Sequence, residues 1–197
     1  MKKIAAMLCA VLLGVSAFAA DDWVIDKAHS AVNFKVRHLM LSNVHGRFSD
    51  VSGTIHYDDK DVTKSSVTAV IKTASVNTDN ETRDKDLRGP DFFETDKFPE
   101  ATFKSTRIEK RGEQLVAIGD FTLKGVTKQI EVPFEFVKAD TPFGPGIGVN
   151  ATLKINRQDY GLKYNRIMDS GGLAVGNEVQ LELNVEAHPA KKDATKK

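Results

Sequence analysis

Cysteine is almost missing from this chain: the only copy is Cys9, inside a leading apolar stretch. Once that stretch is removed, no thiol remains for a disulfide or a thiolate metal ligand, so the fold must be held by its core alone. Charge of one sign is missing too. The 28 Lys and Arg stand against 27 Asp and Glu; without Lys2 and Lys3 the balance is 26 to 27, a net charge of −1. Such a body has no electrostatic reason to bind nucleic acid. Metal-ligand spacing is absent as well. His29, His38, His45, His56 and His188 lie 9, 7, 11 and 132 residues apart, which matches no metal signature. No GxSxG elbow occurs. Asp58-Asp59 and Asp61 read as a polar turn, because a calcium loop spreads its ligands over about twelve residues and ends in Glu. Gly144, Gly146 and Gly148 do not lead from a strand into a helix, so they are turn glycines and not a phosphate cradle. No catalytic residue, metal or redox cofactor is read from the chain.

What is present begins with a three-part leader. Lys2 and Lys3 are a basic flank, Ile4 to Val15 is an apolar run, and Ala17-Phe18-Ala19 fits a small-x-small cleavage site. This predicts a secretory signal peptide over residues 1–20, and hence a periplasmic protein with no stable membrane anchor. The run is short for a bilayer span and is followed by Asp21 and Asp22. Residues 21–188 are expected to form one domain. Residues 189–197, within a stretch holding four lysines and one aspartate from Lys191 on, have little to bury and are expected to be a disordered tail.

Within the domain the dominant signal has a period of two. Val32, Phe34 and Val36 alternate with polar residues, and after an interruption at Leu39–Asn43 a second run carries Phe48, Gly53, Ile55 and Tyr57. Successive side chains of a strand point to opposite faces, so each run has one apolar face. Two such strands are not stable alone. Further runs supply the rest: Val67 to Ile71; Ala101, Phe103 and Ser105; Leu115 to Leu123; Val126 to Phe136; Ile147 to Ile155; and Val179 to Ala187. Pro133 falls on an outward position, which predicts a bulge or an edge there. Pro142 to Gly146 reads as a turn, and Asn156 to Asn177, with Tyr160, Tyr164 and Met168, as the longest excursion without strand.

One segment breaks the pattern. Thr78-Asp79-Asn80-Glu81 matches a capping box with Thr78 as N-cap, and Gly89-Pro90 stops the helix. Leu87 is the only large apolar residue between them. A helix this polar lies on a surface or over an opening. The expectation is that it caps one end of a barrel, with Phe92, Phe93 and Phe98 as a plug.

Eight long strands with apolar faces and polar backs predict an all-β fold. A closed antiparallel barrel is favoured because closure removes exposed edges, with a sandwich as the alternative. Eight strands leave an interior just wide enough for side chains or one slim ligand. Periodicity leaves a filled core and a lipid tunnel equally open.

The series Trp23-x-Ile25-Asp26-x-x-His29-Ser30, Phe34-x-Val36-x-His38-Leu39, Val44-x-Gly46-x-Phe48, Thr78 to Leu87, Phe98-Pro99-x-Ala101-x-Phe103, Gly119 to Lys128 and Asn156-Arg157-x-x-Tyr160-Gly161-Leu162 resembles the YceI family. That resemblance covers nearly the whole chain after the leader. It implies a lipocalin-like, extended eight-stranded antiparallel β-barrel with a short helical cap. It also implies an apolar tunnel for a polyisoprenoid or other long-chain amphiphile, and no settled catalytic residues. By resemblance Phe34, Val36, Phe103 and Phe121 line the tunnel. Alternation adds Val32, Val132, Phe134, Val149, Ala151, Leu181 and Leu183. His38 and Arg157 fall in phase with inner faces at strand ends. They either bind a head group at a tunnel mouth or finish a strand by turning to solvent or to a loop carbonyl. The expected partner is a long-chain isoprenoid, quinone or fatty-acid derivative, and a homodimer is left open. An enzyme acting on such a lipid through His38, or a filled structural barrel, are the rival readings.

Overall fold

The computed structural model describes residues 21–167 and 173–190. The expected leader, the tail from residue 191 on and Met168 lie outside them. Strands β1 (Asp21–Ile25), β2 (Ala31–His38), β3 (Ser42–Phe48), β4 (Val51–Tyr57), β5 (Ser66–Lys72) and β6 (Val76–Asn77) lead into one helix, α1 (Glu81–Arg88). They are followed by β7 (Glu100–Arg111), β8 (Gln114–Leu123), β9 (Val126–Thr141), β10 (Gly144–Asn156) and β11 (Val175–Pro189). All pairings between them are antiparallel.

The strands make eight staves, because β1 and β2, β3 and β4, and β5 and β6 are each one stave with a break. β1 pairs with β4 and β2 with β3 along the first two staves. β11 closes the ring against both halves of the first stave, with Ala187 opposite Ile25 and Leu183 opposite Val32. The result is the closed eight-stranded antiparallel barrel expected from the sequence.

Each break is held by side chains that replace the lost ladder. Between β1 and β2 the Asp26 carboxylate accepts from the Ala28 N–H at 2.8 Å. Ser30 Oγ accepts from the Glu186 N–H at 3.0 Å and donates to the Glu186 carbonyl at 3.3 Å. Between β3 and β4 the Asp50 N–H donates to Ser75 Oγ at 3.1 Å. In the third stave Thr73 is buried and donates its hydroxyl to the Phe98 carbonyl at 2.7 Å.

The structure corrects several local expectations. Asn80, not Thr78, is the N-cap of α1, and its side chain accepts from the Arg83 N–H at 2.9 Å. Glu81 is then the first helical residue and stands too early to close a capping box. Thr78 is buried and fastens the helix instead: its N–H and hydroxyl both donate to the Asp84 carboxylate, at 2.9 and 2.6 Å. At Pro133 the register with β8 runs without a bulge, but the ladder with β10 stops at Phe134. The missing N–H therefore falls where one side of β9 is an edge. The turn at 142–146 shortens to Pro142-Phe143, with Gly146 and Gly148 inside β10.

Part of the outer face of β8 is not polar. Val116 and Ile118 point away from the interior yet are 3% and 1% exposed. Their register partners are Glu109 and Pro133 for Val116, and Arg107 and Glu131 for Ile118. Arg111 reaches Glu131 with both guanidinium nitrogens at 2.7 and 2.8 Å and Glu109 with Nε at 2.9 Å. Long charged side chains lay their apolar stems on a surface while keeping their heads in water. This network roofs the two aliphatic residues.

The turn between β2 and β3 is also unusual. The Leu41 N–H donates to the His38 carbonyl at 3.0 Å, and the two central residues, Leu39 and Met40, have φ of 49° and 60°. This geometry suits Asn-Gly. For a residue with a bulky side chain the left-handed region costs about 1–2 kcal/mol.

Candidate functional site

The inner faces of the staves enclose an apolar cavity of about 240 Å³. A cavity of about 150 Å³ holds one benzene ring, so this one takes on the order of ten methylene-sized atoms. Along β11 the lining runs from Val175 to Val185, about 33 Å at 3.3 Å per residue. A space so long for its volume is single-file. It fits an extended chain and not a compact ligand.

β2 contributes Val32, Phe34 and Val36 to the wall; β7 contributes Phe103, β8 Phe121, β9 Val132 and Phe134, β10 Val149 and Ala151, and β11 Leu181 and Leu183. The four positions expected by resemblance and the seven added by alternation therefore meet around one space. Phe34, Val36, Phe103, Leu181 and Leu183 keep partial exposure although they lie on the inner face of a closed barrel. Their uncovered surface faces the interior space.

One end is covered by α1 and the turn after it. Leu87, Phe92 and Phe93 line the cavity. The Phe93 ring meets Phe48 edge-on at 5.3 Å, and Phe48 in turn meets Phe34 at 5.7 Å. Phe98 does not join this plug. It packs outside against Gly125, where an added Cβ would stand 2.7 Å from its ring. Gly125 has φ of 75° and is therefore required twice over, by the left-handed backbone and by the close approach.

Among the described residues Arg157 is the only charged one in the lining, and it is 4% exposed. It follows β10 in a short 3-10 turn, Arg157–Tyr160, whose Tyr160 ring meets Phe121 edge-on at 5.3 Å. Its Nε donates to the Gly176 carbonyl at 2.8 Å and its Nη1 to the Leu162 carbonyl at 2.6 Å. Its Nη2 donates to the Val175 carbonyl at 3.1 Å and to Asn177 Oδ1 at 3.4 Å. Burial pushes its pKa down, but an arginine stays charged across the working pH range. The guanidinium is spent on loop carbonyls, which is the structural one of the two roles weighed from sequence.

His38 ends β2 opposite Ser42 and Val175 and is not among the lining residues. Its register partner Val175 is one of them.

Sequence reasoning missed the far end of the lining. Val62, Ser65 and Ser66 reach it from a 3-10 turn, Val62–Lys64, and the residues after it, where no periodicity marks an inner face. Leu162 reaches it from the long excursion after β10, and a lone leucine in a glycine-rich loop carries no directional signal. Among the described residues no group of three or more His, Cys, Asp or Glu side chains is gathered to hold a metal. Among the same residues no helix is long and apolar enough to cross a membrane.

Fold and interior together define a closed up-and-down β-barrel built around a narrow apolar cavity. Residues 23–187 match the YceI-like domain, and the chain belongs to the YceI family. A UPF0312 protein of Shewanella sp. (strain MR-7) is 41% identical over 193 residues, covering 94% of this chain and 98% of the relative. The crystal structure of a Campylobacter jejuni YCEI protein shares 34% identity, with a TM-score of 0.66 over 79% of this chain and 90% of that one. A polyisoprenoid binding domain from Saccharophagus degradans, implicated in plant cell wall breakdown, shares the fold at 20% identity. Its TM-score is 0.65, over 87% of this chain and 99% of that domain.

Proposed function

We propose that this protein is a periplasmic carrier that holds a long apolar chain, such as a polyisoprenoid, a quinone or a fatty-acid derivative, inside the barrel. The observation that carries this reading is the long, single-file, apolar cavity. A filled structural barrel would have no such space. The similar fold of a domain described as polyisoprenoid binding and the leader-like sequence of residues 1–20 support it. Val32, Phe34, Val36, Phe103, Phe121, Val132, Phe134, Val149, Ala151, Leu181 and Leu183 are the proposed chain-binding wall. Arg157 fixes the loop that closes one end.

The energetics suffice. Each buried methylene contributes about 0.8 kcal/mol, so one five-carbon isoprene unit offers about 4 kcal/mol gross. Part of this is offset by immobilising the chain. Several units in contact with the wall exceed the roughly 8 kcal/mol of a micromolar complex even after that offset.

A series of polyprenyl alcohols of increasing length tests the reading. Affinity of the ligand-free protein is expected to rise at least tenfold with each added isoprene unit and to level off once the cavity is full. Equal affinity at all lengths would mean that the head group and not the chain is bound, and would overturn the proposal.

A further inference from the structure

We infer that the helix-capped end of the barrel docks on an anionic phospholipid bilayer through the Leu39-Met40-Leu41 turn and Ile167. This deepens the carrier reading and rests on it, since a chain held in the barrel has to enter and leave somewhere.

Two loops present the surface. Met40 is 57% exposed, Leu41 81% and Ile167 73%. The loops are tied together, because the Leu39 N–H donates to the Ala174 carbonyl at 2.9 Å and the Ala174 N–H to the Arg166 carbonyl at 2.9 Å. The apolar tip is therefore one patch and not two scattered side chains. It is also continuous with the cavity. Val175, next to Ala174, lines the cavity, and so does Phe92, whose ring lies 4.9 Å from that of the exposed Tyr164.

The turn itself argues that the apolar residues serve something outside the fold. Its left-handed backbone at Leu39 and Met40 favours Asn and Gly, and an exposed methionine gains little from packing on its own barrel. Strain held at an exposed apolar tip points to a use for that tip.

The charges around it select the occupant. Residues 35–43 and 160–167 carry Lys35, Arg37, Lys163 and Arg166 and no Asp or Glu. Asp169 is the single acid between Ile167 and Ala174. The Arg37 guanidinium donates to the Met40 carbonyl at 2.8 Å, which places a cation at the base of the tip. Apolar side chains above a basic collar suit a surface with anionic head groups over an acyl interior. Docked there, a chain passes between bilayer and cavity with little exposure to water.

The test uses the full chain without its leader and vesicles of phosphatidylethanolamine with phosphatidylglycerol, read by co-sedimentation. Binding is expected to be at least tenfold tighter than to phosphatidylcholine vesicles and to weaken with added salt. The variant Leu39→Asn/Met40→Gly/Leu41→Thr keeps the turn with residues that favour it. It is expected to lose at least tenfold in vesicle affinity while its thermal midpoint holds or rises and its bound ligand is retained. Equal vesicle binding by this variant, or none by the parent protein, would overturn the docking surface. Loss of ligand transfer only in the presence of a periplasmic protein would also overturn it, by making the partner a protein. Vesicle binding by a protein that takes up no polyprenyl alcohol would instead sink the carrier reading and leave the docking surface standing.

Discussion

Leu181→Trp is expected to weaken binding of a four-unit polyprenyl alcohol by at least about a hundredfold, or roughly 2.7 kcal/mol, while the barrel stays folded. Leu181 stands on β11 between Leu153 on β10 and Phe34 on β2, about midway along the lining. In a single-file cavity an indole at that point divides the space. A chain that reaches only one half loses contact along about five methylenes, worth about 4 kcal/mol gross. With about a third of that recovered by repacking, the loss still reaches two decades. Overpacking a dense core costs about 1–3 kcal/mol, but this side chain already borders open space, so the thermal midpoint is expected to move little. A competition titration and a thermal melt on the same preparation give both readings. Unchanged affinity would place the ligand outside the barrel.

Arg157→Met separates two roles that the sequence could not. If the guanidinium mainly fixes the loop after β10, the loss appears as stability. Three carbonyls, those of Leu162, Val175 and Gly176, lose a donor, with only the Val175 carbonyl keeping Asn165 Nδ2 at 3.4 Å, and a buried acceptor left without a partner costs about 1–3 kcal/mol. Allowing for relaxation and entering water, the expected destabilisation is about 3–5 kcal/mol. For a domain of this size that lowers the thermal midpoint by about 6–20 °C. Arg157→Lys is expected to fall between, because an ammonium keeps the charge but cannot span three carbonyls with a planar fork. A head-group role would show the opposite pattern, with weaker ligand binding and unaltered stability.

The barrel was legible because every stave follows one rule, with alternate side chains inward. The clean alternation of Val179 to Ala187 became β11, the strand that closes the ring. The wall was legible for the same reason, from Val32 on β2 to Leu183 on β11. What could not be read is what depends on other parts of the chain. Thr78, Asp79 and Asn80 are all plausible caps by residue type, and the choice fell to Asn80 only because Asp84 and Arg83 engage Thr78 from the folded helix. Val116 and Ile118 look like errors in a polar face until Arg111 and its acidic partners on β7 and β9 are in place. His38 shares the phase of Val36 without joining the lining, and phase is all that alternation reports. Nor does alternation distinguish a filled interior from a hollow one, since both want aliphatic and aromatic side chains. Only the packing of eight staves in three dimensions leaves the space that a ligand could occupy.

The central claim is that a long apolar chain resides in the barrel, and native mass spectrometry of the protein isolated from its own cells tests it most directly. The expected result is a mass excess of one ligand per chain, and organic extraction should release a single long-chain isoprenoid, quinone or fatty-acid derivative. A clean ligand-free mass, together with no uptake of added polyprenyl alcohol, quinone or fatty acid, would contradict the account and make the barrel a scaffold.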